Sequence, residues 1–399
     1  MNGMKQMIEK LAQERYPYIV SLRRHFRAHP ELSMEETGTQ QKILAELSQL
    51  GIQGKAIAGT GVIADIQGWG PGPTIVLRAD MDALRLTDEL DQPYRSTKPG
   101  VCHACGHDAH MATLLGTAHL LYLLRDQFSG TVRLLFQPGE EVLPGGALSV
   151  VEEQGLAGAS AIIGAHLWQP LPTGVVGLNS GKLMAAYDEF SITIHGHGGH
   201  SAMPHQTVDP VLIACQLVTV LQGIVSRNID PRETAVLTVS AIHAGDAFNV
   251  IPGQATLRGT LRCFDEAVRQ QLITRLTATA EGLTATLGAT CTVEIIAGLP
   301  ALVNHPAVAD TLFMSAAEYV GMRNAREVPP LLGGEDFAHY LSHVPGAFML
   351  IGCGNKEKGI VHPHHHGKFD VDEDAMQIGM QVLTHAALEL LQMEWAPLH

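Results

Sequence analysis

Residues 131–141 read Thr-Val-Arg-Leu-Leu-Phe-Gln-Pro-Gly-Glu-Glu. A short apolar run ends at a Gln-Pro-Gly turn, and two adjacent carboxylates follow. Apolar runs of this length bounded by turn residues mark buried strands, and open α/β sheets place their ligand crevice at such a carboxyl end. Working outward, the runs 62–66, 74–77 and 161–165 have the same character and alternate with helical segments at 109–125 and 147–154. Residues 4–50 carry apolar positions at helical spacing, through Ile8, Leu11, Ile19 and Leu22 and again through Ile43, Leu44, Leu47 and Leu50. Strand and helix in alternation predict an α/β layer with a mostly parallel sheet.

The pattern changes after Leu183. A strand at 190–195, a Gly/His loop, a helix at 210–225, strands at 235–242 and 255–261, a helix at 266–285 and a strand at 292–296 make up a ferredoxin-like α+β unit. Beyond Leu299 the alternation resumes, with a strand at 347–351 and a closing helix at 372–391. The expected architecture is one α/β domain, 1–184 and 299–399, interrupted by an inserted α+β domain, 185–298.

The 399 residues carry 26 Lys+Arg against 40 Asp+Glu, a net charge of −14 that argues against a nucleic-acid partner. With 46% hydrophobic and 17% charged residues the chain reads as globular. Its start, MNGMKQMIEKLAQERYP, is charged, and no stretch approaches the roughly 20 apolar residues of a membrane helix. The expectation is a soluble, cytoplasmic protein without a membrane partner. Six scattered cysteines point to reduced thiols. The 21 histidines bunch at 103–110, 195–205 and 362–366, and histidine bunched near cysteine and acids reads first as metal chemistry.

The densest bunch, Cys102-His-Ala-Cys-Gly-His-Asp-Ala-His110, leads a helix whose apolar face begins at Met111. Thiolate and imidazole hold Zn²⁺ and similar ions, and Cys105 and His107 reach one metal if the chain turns at Gly106. The plainer alternative is a helix start in which Asp108 complements the dipole. Glu140 and Glu141 point in different directions on an extended segment, so one can bind metal while the other faces a substrate water, unless the pair is a solvated acidic turn. His166 closes the run 161–165, again at a carboxyl edge. His362, His364, His365 and His366 are all chemically able, and spacing does not choose among them. Asp80 and Asp82 follow a buried strand, and one of them suits the outer carboxylate that fixes the tautomer of a metal-bound histidine.

Taken together and in order, these blocks resemble the M20 metallopeptidase family, in the amidohydrolase branch that includes bacterial N-acyl-amino-acid and hippurate hydrolases and plant auxin-conjugate hydrolases. The likeness runs through His29-Pro-Glu-Leu32, Arg78-Ala-Asp-Met-Asp-Ala-Leu84, His103-Ala-Cys-Gly-His-Asp-Ala-His110, Gln137-Pro-Gly-Glu-Glu141, Gly164-Ala-His166, Gly196-His-Gly-Gly-His-Ser-Ala-Met-Pro-His205, Asn249-Val-Ile-Pro252, Gly334-Glu-Asp-Phe337 and the segment from His365 to Asp370. The resemblance implies two divalent ions, Zn, Mn or Co, held by Cys105, His107, Glu141, His166 and His365. Cys105 bridges them in the place of an aspartate used by other branches. Glu140 matches the general base and Asp82 the acid behind the metal centre. His365 is chosen by the family's histidine four residues before Phe369. The inserted domain becomes a lid and dimerisation domain, in which His200 matches a histidine reaching into the partner subunit's site. Asn249 and Arg262 match groups facing the substrate's polar end, and the expected assembly is a homodimer or a dimer-based oligomer. Two positions depart from the family pattern: Gly139 stands where many relatives have Ala, and Arg85 where Pro is common.

The implied reaction is hydrolysis of the amide bond of small N-acyl-L-amino acids, of the aminoacylase or hippurate hydrolase type. Two cations bridged by a thiolate lower the pKa of a shared water toward neutrality, giving a hydroxide nucleophile. Glu140 accepts the proton and returns it to the leaving amine, while one cation and His200 stabilise the oxyanion. Arg262 meets the substrate carboxylate with paired hydrogen bonds. The rival among enzymes is a carboxypeptidase or dipeptidase with the same centre. Outside enzymes it is a non-catalytic metal-binding protein, against which stands Glu140, a group no metal needs.

Overall fold

The computed structural model describes residues 2–395. The chain begins with α1 (Asn2–Ala28) and α2 (Thr37–Gln49), followed by β1 (Gly54–Ile57), β2 (Gly61–Gln67), β3 (Thr74–Asp80), α3 (His107–Leu123), β4 (Thr131–Gln137), α4 (Gly146–Glu152), β5 (Ala161–Pro172) and β6 (Val176–Leu178). After β7 (Lys182–Met184) come β8 (Ala186–His195), β9 (Gly199–His200), α5 (Pro210–Asn228), β10 (Ala235–Ala244), β11 (Val250–Ile251), β12 (Gln254–Cys263), α6 (Glu266–Thr286) and β13 (Thr290–Leu299). The chain closes with β14 (Leu302–Val303), α7 (Pro306–Val320), β15 (Ala325–Glu327), α8 (Ala338–Leu341), β16 (Gly346–Gly354) and α9 (Asp374–Leu390). It divides into two compact units, the larger formed by Met1–Leu183, Val303–Pro329 and Asp336–His399, the smaller by Met184–Leu302 and Pro330–Glu335.

The larger unit is built on an eight-stranded sheet in the order β1-β2-β4-β3-β5-β16-β6-β15. Its centre, β4-β3-β5-β16, is parallel throughout. The pairs β1-β2, β2-β4 and β6-β16 are antiparallel and the outermost pair β6-β15 is parallel, so four of the seven pairs agree with the mostly parallel expectation. Chain length decides β1-β2, where three residues suffice for a hairpin but not for a crossover. Covered on both faces, the central strands read as continuous apolar runs, and all nine residues of β16 are buried. Along β3, Ile75, Leu77 and Ala79 join a core with Ile19 and Phe26 of α1, Leu114 and Ala118 of α3 and Met380 of α9. Arg78 and Asp80 occupy the alternate positions, on the opposite face of the sheet. Helix α3 is apolar on all sides and buried from His107 to Leu121, as a helix in the middle of a large core must be.

Two expectations about this unit need correction. His166 does not end its strand, since β5 runs on to Pro172 by pairing with β16, where His166 lies opposite Leu350. Pairing with β3 stops at Gly164, and beyond it the β5 backbone at Leu167 bonds instead to the His110 and His364 side chains. The segment Pro330–Glu335, assigned by sequence to the larger unit, belongs to the smaller one, because the Ala185 N–H donates to the carbonyls of Leu331 at 3.1 Å and Gly333 at 3.0 Å.

The smaller unit is an antiparallel sheet in the order β10-β12-β8-β13, with α5 and α6 packed on it and on each other. The chain order β-α-β-β-α-β with these neighbours is the ferredoxin-like arrangement. Both helices start where an aspartate caps them. Asp209 accepts from the amides of Val211 and Leu212, and Asp265 from those of Ala267 and Val268. By length and composition α5 is apolar enough to cross a membrane, with mean hydropathy 1.5, which the sequence reading overlooked. In the fold it buries Ile213, Leu217, Leu221 and Ile224 in the unit's core.

Candidate metal centre

The centre forms in the larger unit, where the carboxyl ends of β3 and β4, the projecting part of β5 and the start of α3 converge. Gly106 lets the chain turn between Cys105 and His107. Its φ of +94° lies in the left-handed region, and α3 begins at the next residue. His107 is fully buried. Its Nδ1–H donates to Asp82 Oδ1 at 3.2 Å, and its Nε2, 3.7 Å from Asp80 Oδ2 and 3.9 Å from Glu141 Oε1, has no hydrogen-bond partner among the described residues. Asp82 does more than orient His107, because its Oδ2 accepts from the Glu141 amide at 2.9 Å and from Ser33 Oγ at 2.6 Å. One carboxylate therefore positions two metal-compatible side chains.

Two of the donor groups share Cys105. The donor atoms of Cys105, His107 and His166 lie within 4.8 Å of one another, as do those of Cys105, Glu141 and His365. Cys105 Sγ is 3.4 Å from His166 Nε2, and His365 Nε2 is 3.3 Å from Glu141 Oε1. Glu140 joins His107 and Glu141 in a third group of the same span. His166 gives its Nδ1–H to Leu167 O at 2.9 Å, so its Nε2 carries a lone pair. A buried imidazole nitrogen without a hydrogen-bond partner, a thiol and a carboxylate gathered this closely fit a pair of divalent ions of the N/S/O-binding kind.

The electrostatics of these side chains agree. Burial pushes the Cys105 thiol well above its ordinary range, and Glu141, Glu140 and Asp80 add to the shift. Burial works against an imidazolium at His107, yet Asp80, Asp82 and Glu141 raise its pKa to about 10. The hydrogen bond to Glu141 raises His365 in turn. Positive charge is thus already favoured where the ions would sit.

The histidine run, unreadable by spacing, is sorted by geometry. His364 Nε2 bonds to Leu167 O at 3.0 Å, and its ring stacks on Trp168 at 4.7 Å. His366 Nδ1 accepts from the Lys368 amide at 3.0 Å and its ring stacks on His362. His365 alone of the run lies in a donor group, with a φ of +61° that turns it there. His110, the last histidine of its block, is not available to a metal. Its Nδ1–H donates to Asp80 Oδ1 at 2.6 Å and its Nε2 accepts from the Leu167 amide at 2.8 Å, which ties β3 to β5 beside His166.

Sequence reasoning missed the supports. Arg78, fully buried, reaches Gln137 Oε1 at 2.9 Å, Asp80 Oδ2 at 2.8 Å and Asp336 Oδ1 at 2.8 Å, and Asp336 also accepts from the Ala147 amide. Asp336 stood inside a quoted block, and Arg78 at the head of another, without a role. The departure at Gly139 has a local reason, since its φ is +63° and a Cβ there would meet Met34 Sδ at 2.6 Å.

In the smaller unit, His200 is exposed and its Nδ1 accepts from the Ala202 amide at 3.1 Å, so the neutral ring carries its proton on Nε2, ready to donate. The Asn249 carbonyl accepts from the Ser201 amide at 3.2 Å, and β9 pairs with β11, so the loops of His200 and Asn249 are tied together. Arg262 lies over the Tyr187 ring at 4.4 Å and donates to Leu332 O at 2.6 Å.

Comparison with known proteins bears on this geometry. The sequence profile of peptidase family M20/M25/M40 matches residues 76–389. The chain is 42% identical to an N-acetyl-L-cysteine deacetylase of Bacillus subtilis (strain 168), covering 94% of this chain and 88% of the relative. It is 38% identical to thermostable carboxypeptidase 1 of Saccharolobus solfataricus, covering 96% and 98%. Among solved structures, a dinuclear metal-binding peptidase of the M20 family from Bacillus subtilis superposes with a TM-score of 0.82 at 35% identity, over 95% of this chain and 99% of that one.

Proposed function

The chain belongs to peptidase family M20/M25/M40 and is an amidohydrolase of that metal-dependent class, and from that premise we propose that it hydrolyses the amide bond of N-acyl-L-amino acids. The observation that carries this reading is the coincidence of two donor groups sharing one thiol with a further carboxylate, Glu140, inside the same 4.8 Å span as His107 and Glu141. Cys105, His107 and His166 would hold one divalent ion, and Cys105, Glu141 and His365 the other; the donor set suits Zn²⁺, Mn²⁺ or Co²⁺. When bound, the ions supply Lewis acidity, polarising the amide carbonyl and making water easier to deprotonate.

The chain's own residues divide the remaining work. Glu140 takes a proton from the water that adds to the carbonyl carbon. As the C–N bond breaks it delivers that proton to the amine nitrogen, so that an acyl acid and an amino acid leave. Asp82 keeps His107 in the Nδ1–H tautomer and steadies the Glu141 backbone. His200 offers its Nε2–H to the developing oxyanion of a partner subunit's site, while Arg262 and Asn249 meet the substrate's polar end, the guanidinium binding a carboxylate. The assembly in this reading is a two-fold homodimer joined through the smaller units. Its support is that β10, an edge strand, pairs with β12 alone among the described residues, and that Leu212, Val220, Ile242 and the fully exposed Phe248 are turned to solvent nearby in sequence.

A second reading is favoured by the carboxypeptidase relative: the same centre cuts any amide beside a free carboxylate. Turnover of N-acetyl and N-benzoyl amino acids against dipeptides, on metal-reconstituted protein, separates the two. A higher kcat/KM for the acyl amino acids is expected. A preference for dipeptides would move the assignment to peptidase, and tight metal binding with no hydrolysis of either would defeat both.

A further inference from the structure

We propose that Arg27 of α1 is a positioning residue for the metal centre, one guanidinium that holds the loop of Cys105 and the loop of His365 at a set spacing. The proposal rests on the two-ion reading above, with one ion depending on His365. Arg27 is fully buried, and its fork is divided three ways. Nη1 donates to His103 O at 2.9 Å, two residues before Cys105. Nη2 donates to Phe369 O at 2.9 Å, four residues after His365. Nε donates to Asp88 Oδ2 at 3.0 Å, so the charge is balanced by a carboxylate that belongs to neither ligand loop.

The His365 loop needs such a hold. His365 has a left-handed φ of +61°, outside any helix or strand, and its side chain is 56% exposed, whereas His107 and His166 are buried at the heart of the unit. The nearest tie is the His365 amide to Ala104 O at 2.8 Å, which again joins the residue beside one ligand to another ligand. Arg23, one helical turn earlier on the same face of α1, repeats the pattern: its Nε reaches Asp108 at 2.9 Å, next to His107, and its Nη2 reaches Asp370. A planar guanidinium spans two carbonyls and a carboxylate at fixed angles, and an ammonium does not.

The test uses the full chain with Arg27→Lys, which keeps the buried charge opposite Asp88, and Asp88→Asn, which leaves both carbonyl bonds to Arg27 in place. Zn²⁺ alone is titrated by equilibrium dialysis with metal analysis, and amide hydrogen exchange is followed in the metal-free protein. In Arg27→Lys one of the two equivalents should weaken by about 10- to 100-fold, the range for lost outer supports, while the other is retained. Exchange should accelerate at 361–369 more than elsewhere. Asp88→Asn should keep both equivalents even where it lowers the melting temperature. Unchanged exchange at 361–369 in Arg27→Lys, or both equivalents weakened alike, overturns the proposal. Because exchange is read without metal, it decides the matter even if the wild type takes up a single ion, a result that would fault the two-ion reading instead.

Discussion

Glu140 and Glu141, neighbours in sequence, have different proposed roles: the Glu141 amide donates to Asp82 Oδ2 at 2.9 Å and its Oε1 lies 3.3 Å from His365 Nε2. Glu140→Gln should keep both metal equivalents and lower kcat by at least about 10²-fold, the usual loss for a general base. Glu141→Gln should lose metal, and metal analysis beside steady-state kinetics reads both; the reverse pattern would exchange the two assignments. The ligand set also predicts a pH response. Cys105 is held protonated by burial and neighbouring carboxylates, and His107, with a pKa raised to about 10, keeps its proton at pH 7. An entering ion must displace these protons, so Zn²⁺ uptake at neutral pH should release protons and its affinity should fall as pH is lowered. Proton release measured in a weakly buffered titration checks this, and its absence would show the ligands already ionised. The residue types at 105, 107, 140, 141 and 166 were legible because thiol, imidazole and carboxylate announce their chemistry. His365 was not legible by type, since four histidines share its segment and only the bonds that occupy His364 and His366 set it apart.

Among the elements, α1 carries the largest electrostatic burden. Arg23 is buried against Asp108 and Asp370, and removing one member leaves uncompensated charge. Arg23→Ala should therefore destabilise the larger unit by about 3–5 kcal/mol, read by denaturant unfolding; a loss under about 1 kcal/mol would mean that water reaches the site. Burial alone would raise the carboxyl pKa values of Asp370 and Asp88, but Arg23 with Arg27 holds Asp370, and Arg27 holds Asp88, below the usual range. Their contribution to stability is complete above the unfolded carboxyl pKa of about 3.9 and is lost as pH falls from there through the folded values. Unfolding followed from pH 6 to pH 2 should show that acid limb, and Asp88→Asn should make it shallower. The helix itself was legible from periodicity, but the role of its arginines was not, because their partners at 88, 103, 108, 369 and 370 lie far along the chain.

For the whole molecule, the assembly reading predicts complementation. Glu140→Ala chains and His200→Ala chains, each inactive, should regain activity after subunit exchange, since one site of a mixed dimer then combines an intact Glu140 with an intact His200. Confirmed mixed dimers without activity, or a monomer in solution, would remove His200 from the partner's site. The sequence by itself determined the alternation of strand and helix, the ferredoxin-like order of the inserted segment and the chemistry of the candidate ligands. Each of these is written in windows of a few residues, through side-chain period, turn residues and donor type. Only the tertiary structure decided the order β4-β3-β5-β16, the antiparallel pairs β1-β2, β2-β4 and β6-β16, the transfer of Pro330–Glu335 to the smaller unit and the bonds that occupy His364 and His366. Those depend on hydrogen bonds and buried charge between residues far apart in the chain, and no local pattern specifies which distant carbonyl or carboxylate a given donor will find.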